Sequence, residues 1–224
     1  MRLGIFTFLL VFSLQLRAQK SVFINPVFNF QHIYLYNSPL SNSNGLGLII
    51  GYQNTFSKRF GYLVSLSCLN QSRLKSSVDC ELGSCRGLNI NKYKENPAFT
   101  LESSLKFYPI PHVLWLKVGG FLGYNKIIEY SGVSYGGFWK SNSPNKKENV
   151  EFVSERGLDY GFCLGSGLEI PLSKKLNLLV NIDYRFASIK SDVTITVDGV
   201  STTFNKIFPY KIFMPGLGIS YQLK

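Results

Sequence analysis

The stretch "VNIDYRFASI", residues 180–189, alternates with a period of two. Val180, Ile182, Tyr184 and Phe186 make an unbroken apolar row, while Asn181, Asp183 and Arg185 fill the positions between them. A period of two is the side-chain repeat of a β-strand. A strand that is greasy on one face and carries both signs of charge on the other separates two different media. Which medium lies on which side decides the fold.

The same split recurs along the chain. In "GLGLIIGYQNT" (45–55), Leu46, Leu48, Ile50 and Tyr52 oppose Gly47, Ile49, Gly51 and Gln53. In "FGYLVSLSCLN" (60–70), Phe60, Tyr62, Val64, Leu66 and Cys68 oppose a face of mostly small or polar residues. "AFTLESSLKF" (98–107) sets Phe99, Leu101, Leu105 and Phe107 against Thr100, Glu102, Ser104 and Lys106. "LWLKVGGFLGYN" (114–125) sets Leu114, Leu116, Val118, Leu122 and Tyr124 against Lys117, Gly119, Gly123 and Asn125. "LDYGFCLGSGLEI" (158–170) opposes Leu158, Tyr160, Phe162, Leu164, Leu168 and Ile170 to Asp159, Gly161, Cys163, Gly165, Gly167 and Glu169. "PGLGISYQL" (215–223) closes the series, and a less regular strand near 22–36 opens it, so eight strands are expected. Pro215 removes one ladder donor, for which a local bulge is the usual remedy.

Connection lengths alternate as well. "FSKR", "PIPH" and "PLSKK" are tight turns, whereas roughly 27, 32 and 16 largely polar residues follow the third, fifth and seventh strands. Short turns at one end and long loops at the other are the layout of a closed antiparallel membrane barrel. The expected fold is therefore all-β, an eight-stranded antiparallel up-and-down transmembrane β-barrel with short periplasmic turns and long extracellular loops.

A soluble β-sandwich also alternates, so two further features set the orientation. The smooth face is aliphatic in mid-strand and aromatic toward the ends, as at Phe60, Tyr62, Tyr184 and Phe186, which matches the girdles at lipid headgroup depth. The other face mixes glycine with Glu102, Lys106, Lys117, Asp159, Glu169, Asp183 and Arg185. Facing water, glycine would weaken each strand without purpose. In an eight-stranded barrel the lumen has room only for side chains, so glycine beside a long Lys or Arg shares the space, and the charges there must pair. A hairpin with Ile170 facing Lys174 sets Asp159 opposite Arg185, and a similar one brings Glu102 to Lys117. Asp183 and Glu169 join these pairs into one interior network.

The 224 residues fit one domain, and 24 Lys and Arg against 13 Asp and Glu give a formal charge of +11. "MRLGIFTFLLVFSLQLRAQK" has a basic Arg2, a largely apolar run from Ile5 to Leu16 and a small Ala18. That is the layout of a secretory signal peptide over residues 1–18, leaving a barrel domain over 19–224 with a charge of +9. Beyond it no apolar run is long enough for a spanning helix. Cys80 and Cys85 lie in the turn-rich "SSVDCELGSCRGLN" and suit a disulfide of about 2 kcal/mol; C-x4-C without further ligands does not suit a metal. Cys68 and Cys163 sit inside strand patterns as small hydrophobes.

The segment "GFCLGSGLEIPLSKKLNLLVNIDYRF" (161–186) and the closing "GLGISYQLK" resemble the outer-membrane β-barrel proteins of Bacteroidetes, the PorT-like and OmpA-transmembrane-like group. The resemblance covers essentially all of the chain after residue 18 and specifies fold far better than activity. It implies residence in outer-membrane lipid and recognition by the barrel-assembly machinery near a terminal aromatic; the last aromatic here is Tyr221.

No phosphate loop or zinc-ligand cluster is present, so no cofactor or metal is expected. His32 and His112 are the two histidines, and neither joins a Ser and an acid on neighbouring strands, so no catalytic residue is assigned. The basic residues are scattered, which speaks against nucleic acid; Arg73, Lys75, Arg86, Lys92, Lys94, Lys140, Lys146 and Lys147 fall in the long outer connections, where lipopolysaccharide phosphates are available partners. The expected function is a non-enzymatic structural or surface-interaction barrel, with an unidentified extracellular ligand or envelope complex as a further partner class. A small-solute pore, a lipid-modifying outer-membrane enzyme and a soluble lipocalin-like carrier are the alternatives; the carrier needs an apolar lumen, which Asp183 and Arg185 oppose.

Overall fold

The computed structural model describes residues 19–35, 38–70, 77–81, 84–93, 97–126, 129–135 and 147–223; the expected signal segment lies outside them. Its strands are β1 (Gln19–Leu35), β2 (Ser38–Thr55), β3 (Phe60–Leu69), β4 (Ser77–Glu81), β5 (Ser84–Tyr93), β6 (Ala98–Ile110), β7 (Leu114–Lys126), β8 (Glu129–Tyr135), β9 (Lys147–Ser154), β10 (Arg156–Pro171), β11 (Leu176–Val197) and β12 (Val200–Gln222). Eight of them close a ring in the order β10, β7, β6, β3, β2, β1, β12, β11, with β11 returning to β10. Every pairing is antiparallel, so the ring is an up-and-down barrel without an open edge around its belt.

The long outer connections are not plain loops. That after β3 carries β4 and β5, and that after β7 carries β8 and β9; these four strands pair in series and join the wall where β9 meets the upper half of β11. Residues 190–205, expected as a loop, are the outer ends of β11 and β12, which run in register to Val197 opposite Val200. Asp198 (φ 48°) and Gly199 (φ 84°) close that hairpin; positive φ at both central positions is the type I′ geometry that Asp-Gly favours.

β11 shows why these ends looked different. Up to Phe186 its even-numbered side chains face outward and are apolar, while Asn181, Asp183 and Arg185 face inward and are buried. Beyond that point the chemistry inverts. Ser188, Lys190, Asp192, Thr194 and Thr196 face outward, and Ile189, Val193 and Ile195 are buried inside with Val150, Phe152 and Phe208. A barrel that leaves hydrocarbon for water changes sign in this way: its outside becomes polar and its inside becomes an ordinary apolar core.

Two local expectations are corrected. Ile170 pairs with Leu178 rather than Lys174, because residues 172–176 form a wider turn in which Ser173 Oγ accepts from the backbone N–H of Lys175 and Leu176. The slip is an even number of residues, so no side chain changes face. The ladder also runs through Pro215, paired with Ile182, without the expected bulge.

Candidate functional site

The inward side chains of the ring meet in polar clusters, of which the central one is the largest. Glu102 on β6 is its hub: Lys117 Nζ lies 2.6 Å from Oε1, Ser104 Oγ donates to Oε1 at 2.8 Å, and Arg185 Nη2 donates to Oε2 at 3.0 Å. Arg185 is fully buried, its Nη1 donating to Thr100 and Ser67 and its guanidinium lying 5.1 Å from the Phe121 ring centroid. Lys117 also reaches Asp183 Oδ1 at 3.1 Å, and Asp183 accepts from Asn181, which in turn accepts from Asn25.

Toward the short turns Lys106 forms a second centre. Its Nζ lies 2.7 Å from both Glu169 Oε1 and Gln53 Oε1, and 4.3 Å from the Trp115 ring. Gln53 Nε2 and Tyr108 Oη donate to the same Glu169 oxygen. Lys106 and Lys117 are register partners on β6 and β7, two cations side by side, and they diverge toward different carboxylates. Toward the outer end Asp159 accepts from Asn125, whose own Oδ1 accepts from the backbone N–H of Phe99.

All seven sequence-assigned lumen residues are therefore buried. The pair Glu102 and Lys117 is in contact, but Asp159 is not set opposite Arg185: its register partner is Ile189, and Arg185 crosses the lumen to Glu102. Gln53 and Thr100, read on the interior face but not assigned to the network, and Asn25, Ser67, Tyr108 and Tyr210, not assigned at all, are also buried in the lumen. Each lies on the face that period two assigns to the interior, which was the available signal.

Glycine makes the central contact possible. A Cβ on Gly165 would lie 2.1 Å from Asp183 Oδ1 and 2.7 Å from Lys117 Cε, so the ion pair occupies the space that any other residue would need. The space left over is small. A cavity of about 20 Å³ lies among Lys106, Lys117, Asp183 and Asn181, and a vestibule of about 180 Å³ at the short-turn end stops at Gln53 and Glu169.

The remaining sequence assignments fall elsewhere. Cys80 and Cys85 are register partners in the β4–β5 hairpin; their side chains lie outside the described residues, as do Arg73, Lys75, Lys94, Lys140 and Lys146. Cys163 is a free, buried thiol beside Ser104, and Cys68 is free and only half-buried on the outer face. His32 is exposed on the outer face of β1 and His112 is exposed in a turn at φ 60°. Among the described residues no three His, Cys, Asp or Glu side chains are grouped to hold a metal ion.

No family model matches the chain. No curated protein matches it either. Among solved structures it is similar to Neisserial surface protein A, at 12% identity and a TM-score of 0.47, over 92% of this chain and 99% of that one. It is similar to a major outer membrane protein from Thermus thermophilus, at 15% identity and a TM-score of 0.48, over 92% and 100%. It is also similar to the outer membrane protein OprG from Pseudomonas aeruginosa, at 10% identity and a TM-score of 0.47, over 92% and 96%.

Proposed function

We propose that this chain is a non-enzymatic β-barrel of the bacterial outer membrane, of the PorT-like and OmpA-transmembrane-like kind, exported through cleavage of residues 1–18. Its role is to anchor and present a β-sheet at the cell surface. The observation that carries the reading is the inversion of faces. Around the ring the outward residues are large and apolar, as with Leu66 at 64% and Leu105 at 62% exposure, and this belt is far more extensive than water tolerates. On β3, β6 and β12 it spans Phe60 to Cys68, Phe99 to Phe107 and Phe213 to Tyr221, nine residues each. Roughly 9–11 residues is the length a tilted strand needs to cross hydrocarbon.

Within the belt the lumen is filled by paired ions packed with Phe23, Leu63, Trp115 and Phe121, and above it by Val150, Phe152, Val193, Ile195 and Phe208. Both plugs favour a closed barrel over a solute pore, and the buried charges disfavour a carrier of apolar ligands. The strands β4, β5, β8 and β9 with the outer halves of β11 and β12 form the sheet available to an extracellular ligand or envelope complex.

Cell fractionation with a gel of boiled and unboiled samples, followed by planar-bilayer recording, tests the proposal. It predicts recovery in the outer membrane, a heat-dependent change in migration and no sustained unit conductance. Recovery in the soluble fraction, or a steady open channel in the unmodified protein, overturns it.

A further inference from the structure

The outer sheet ends in a strand that is paired on one side only. β12 pairs with β11 up to Val200, but with β1 only as far as Tyr210, opposite Ile33. A register shift between Ile33 and Tyr34 marks where β1 leaves that ladder, and its last residues pair with β2 alone. Among the described residues no strand covers the β1 side of β12 from Val200 to Pro209, and no pairing joins β12 to β4, the other end of the outer sheet. The wall is two strands short above the β1–β2 hairpin.

The open edge has a defined hydrogen-bonding phase. In an antiparallel ladder alternate residues turn their N–H and C=O groups to opposite neighbours. Gln222 donates to Lys175 on the β11 side and Leu223 donates to Lys20 on the β1 side, both at 2.8 Å, so odd-numbered residues address β1. The β11–β12 register is unbroken from Leu176 to Val197, which carries this phase to the tip. Ser201, Thr203, Asn205 and Ile207 therefore turn their backbone N–H and C=O groups to the open side, and all four residues are exposed. Pro209, next in phase, has no N–H and ends the series. On the inward face Phe204 packs on the apolar core yet is only partly buried.

Charge selects the kind of partner. All 13 Asp and Glu residues lie between Asp79 and Asp198. The adjacent strands β12, β1, β2 and β3 have none, and carry Lys20, Lys206 and Lys211; Lys190, opposite Ile207, adds a cation on the outer face. The acids on the outer end of β11 and in its turn are engaged, Asp192 by Asn205 and Asp198 by the backbone N–H of Asn149. A second copy does not fit the edge. Two barrels upright in one membrane would cross their β12 strands at about twice the strand tilt, roughly 70–90°, which is too steep for a ladder.

We propose that the open edge of β12, Ser201–Ile207, is a strand-addition site for an acidic, extended segment of another polypeptide at the cell surface. The segment runs antiparallel to β12 in the place that β1 vacates, with an apolar side chain beside Phe204 and its acids on the outer face. The assignment rests on the membrane-barrel reading above, which sets this edge outside the cell.

The full chain in lipid nanodiscs, titrated with labelled peptides and followed by fluorescence anisotropy, tests it. The probes are a heptapeptide of alternating Glu and Val, its counterpart of alternating Lys and Val, and the Glu peptide N-methylated at its Glu nitrogens. The Glu peptide is expected to bind at least about tenfold more tightly than either of the others. Thr203→Pro removes one N–H from the open edge and leaves the β11 ladder its bonds, and it is expected to weaken the Glu peptide about tenfold. Thr203→Val, which loses the same hydroxyl but keeps the N–H, binds as the unmodified protein does. Failure of the Glu peptide to bind, equal binding of the Glu and Lys peptides, or binding indifferent to N-methylation or to Thr203→Pro overturns the site. A heat-dependent gel shift in each variant shows that the barrel is intact. Its absence in the unmodified protein overturns the membrane reading itself.

Discussion

Arg185 Nη2 lies 3.0 Å from Glu102 Oε2, although the two residues are 83 positions apart and their strands, β11 and β6, are not neighbours in the ring. The contact spans the lumen, and both side chains are essentially cut off from solvent. Two ions in that setting repay their desolvation only together.

Arg185→Ala leaves Glu102 short of one partner and Arg185→Glu adds a third acid beside Glu102 and Asp183. The alanine variant is expected to lose about 3–5 kcal/mol, and the reversal more. Urea unfolding in detergent, followed by loss of the fast-migrating gel band, measures both. In a double-mutant cycle with Glu102→Gln the second substitution costs much less than it does alone; strict additivity would show that the pair is not coupled.

Gly165→Ala tests the shared space from β10, the strand between those of Lys117 and Asp183. The new methyl group meets Asp183 and Lys117 at distances that carbon does not tolerate, so a loss of about 1–3 kcal/mol is expected from overpacking. The same change at Gly120, where a Cβ meets only one backbone oxygen at 3.5 Å, is expected to be close to neutral in the same unfolding assay.

Arginine scanning separates the belt from the outer sheet. Leu122, 58% exposed on β7, faces outward within the belt, and Thr194 faces outward on the upper half of β11. Leu122→Arg is expected to cost about 2–4 kcal/mol in refolding into liposomes, while Thr194→Arg stays within about 0.5 kcal/mol. Similar costs at the two positions would place them in the same medium.

The belt was legible because most spanning strands keep one phase, apolar outside and mainly small, polar or ionic inside, although Phe23, Trp115 and Phe121 also face inward and are buried. The outer ends were not. Ser188, Lys190, Asp192, Thr194 and Thr196 continue the same alternation with the chemistry exchanged, so residues expected to be loop are strand, and the Asp198-Gly199 turn signal lay inside that stretch unread. The partner of Arg185 was missed for another reason. Hairpin register brings together neighbours on adjacent strands, whereas the Glu102 contact depends on ring closure and on how long side chains lean across a filled lumen. Ser173 widened the turn after Pro171 by hydrogen bonds that the dipeptide pattern does not announce.

Consecutive residues on β11 offer the sharpest discrimination, since Ile182 is 49% exposed and Asp183 is 2% exposed. Nitroxide labels at Leu122, Leu105 and Ile182, one at a time in a background with Cys68, Cys80, Cys85 and Cys163 replaced by alanine, can be read by electron paramagnetic resonance in liposomes. The prediction is high accessibility to dissolved oxygen and little to a water-soluble nickel relaxant at all three, with the reverse at Thr194. Labels at the first three positions that respond to nickel and not to oxygen would place the apolar belt in water or in a protein interior and contradict the account.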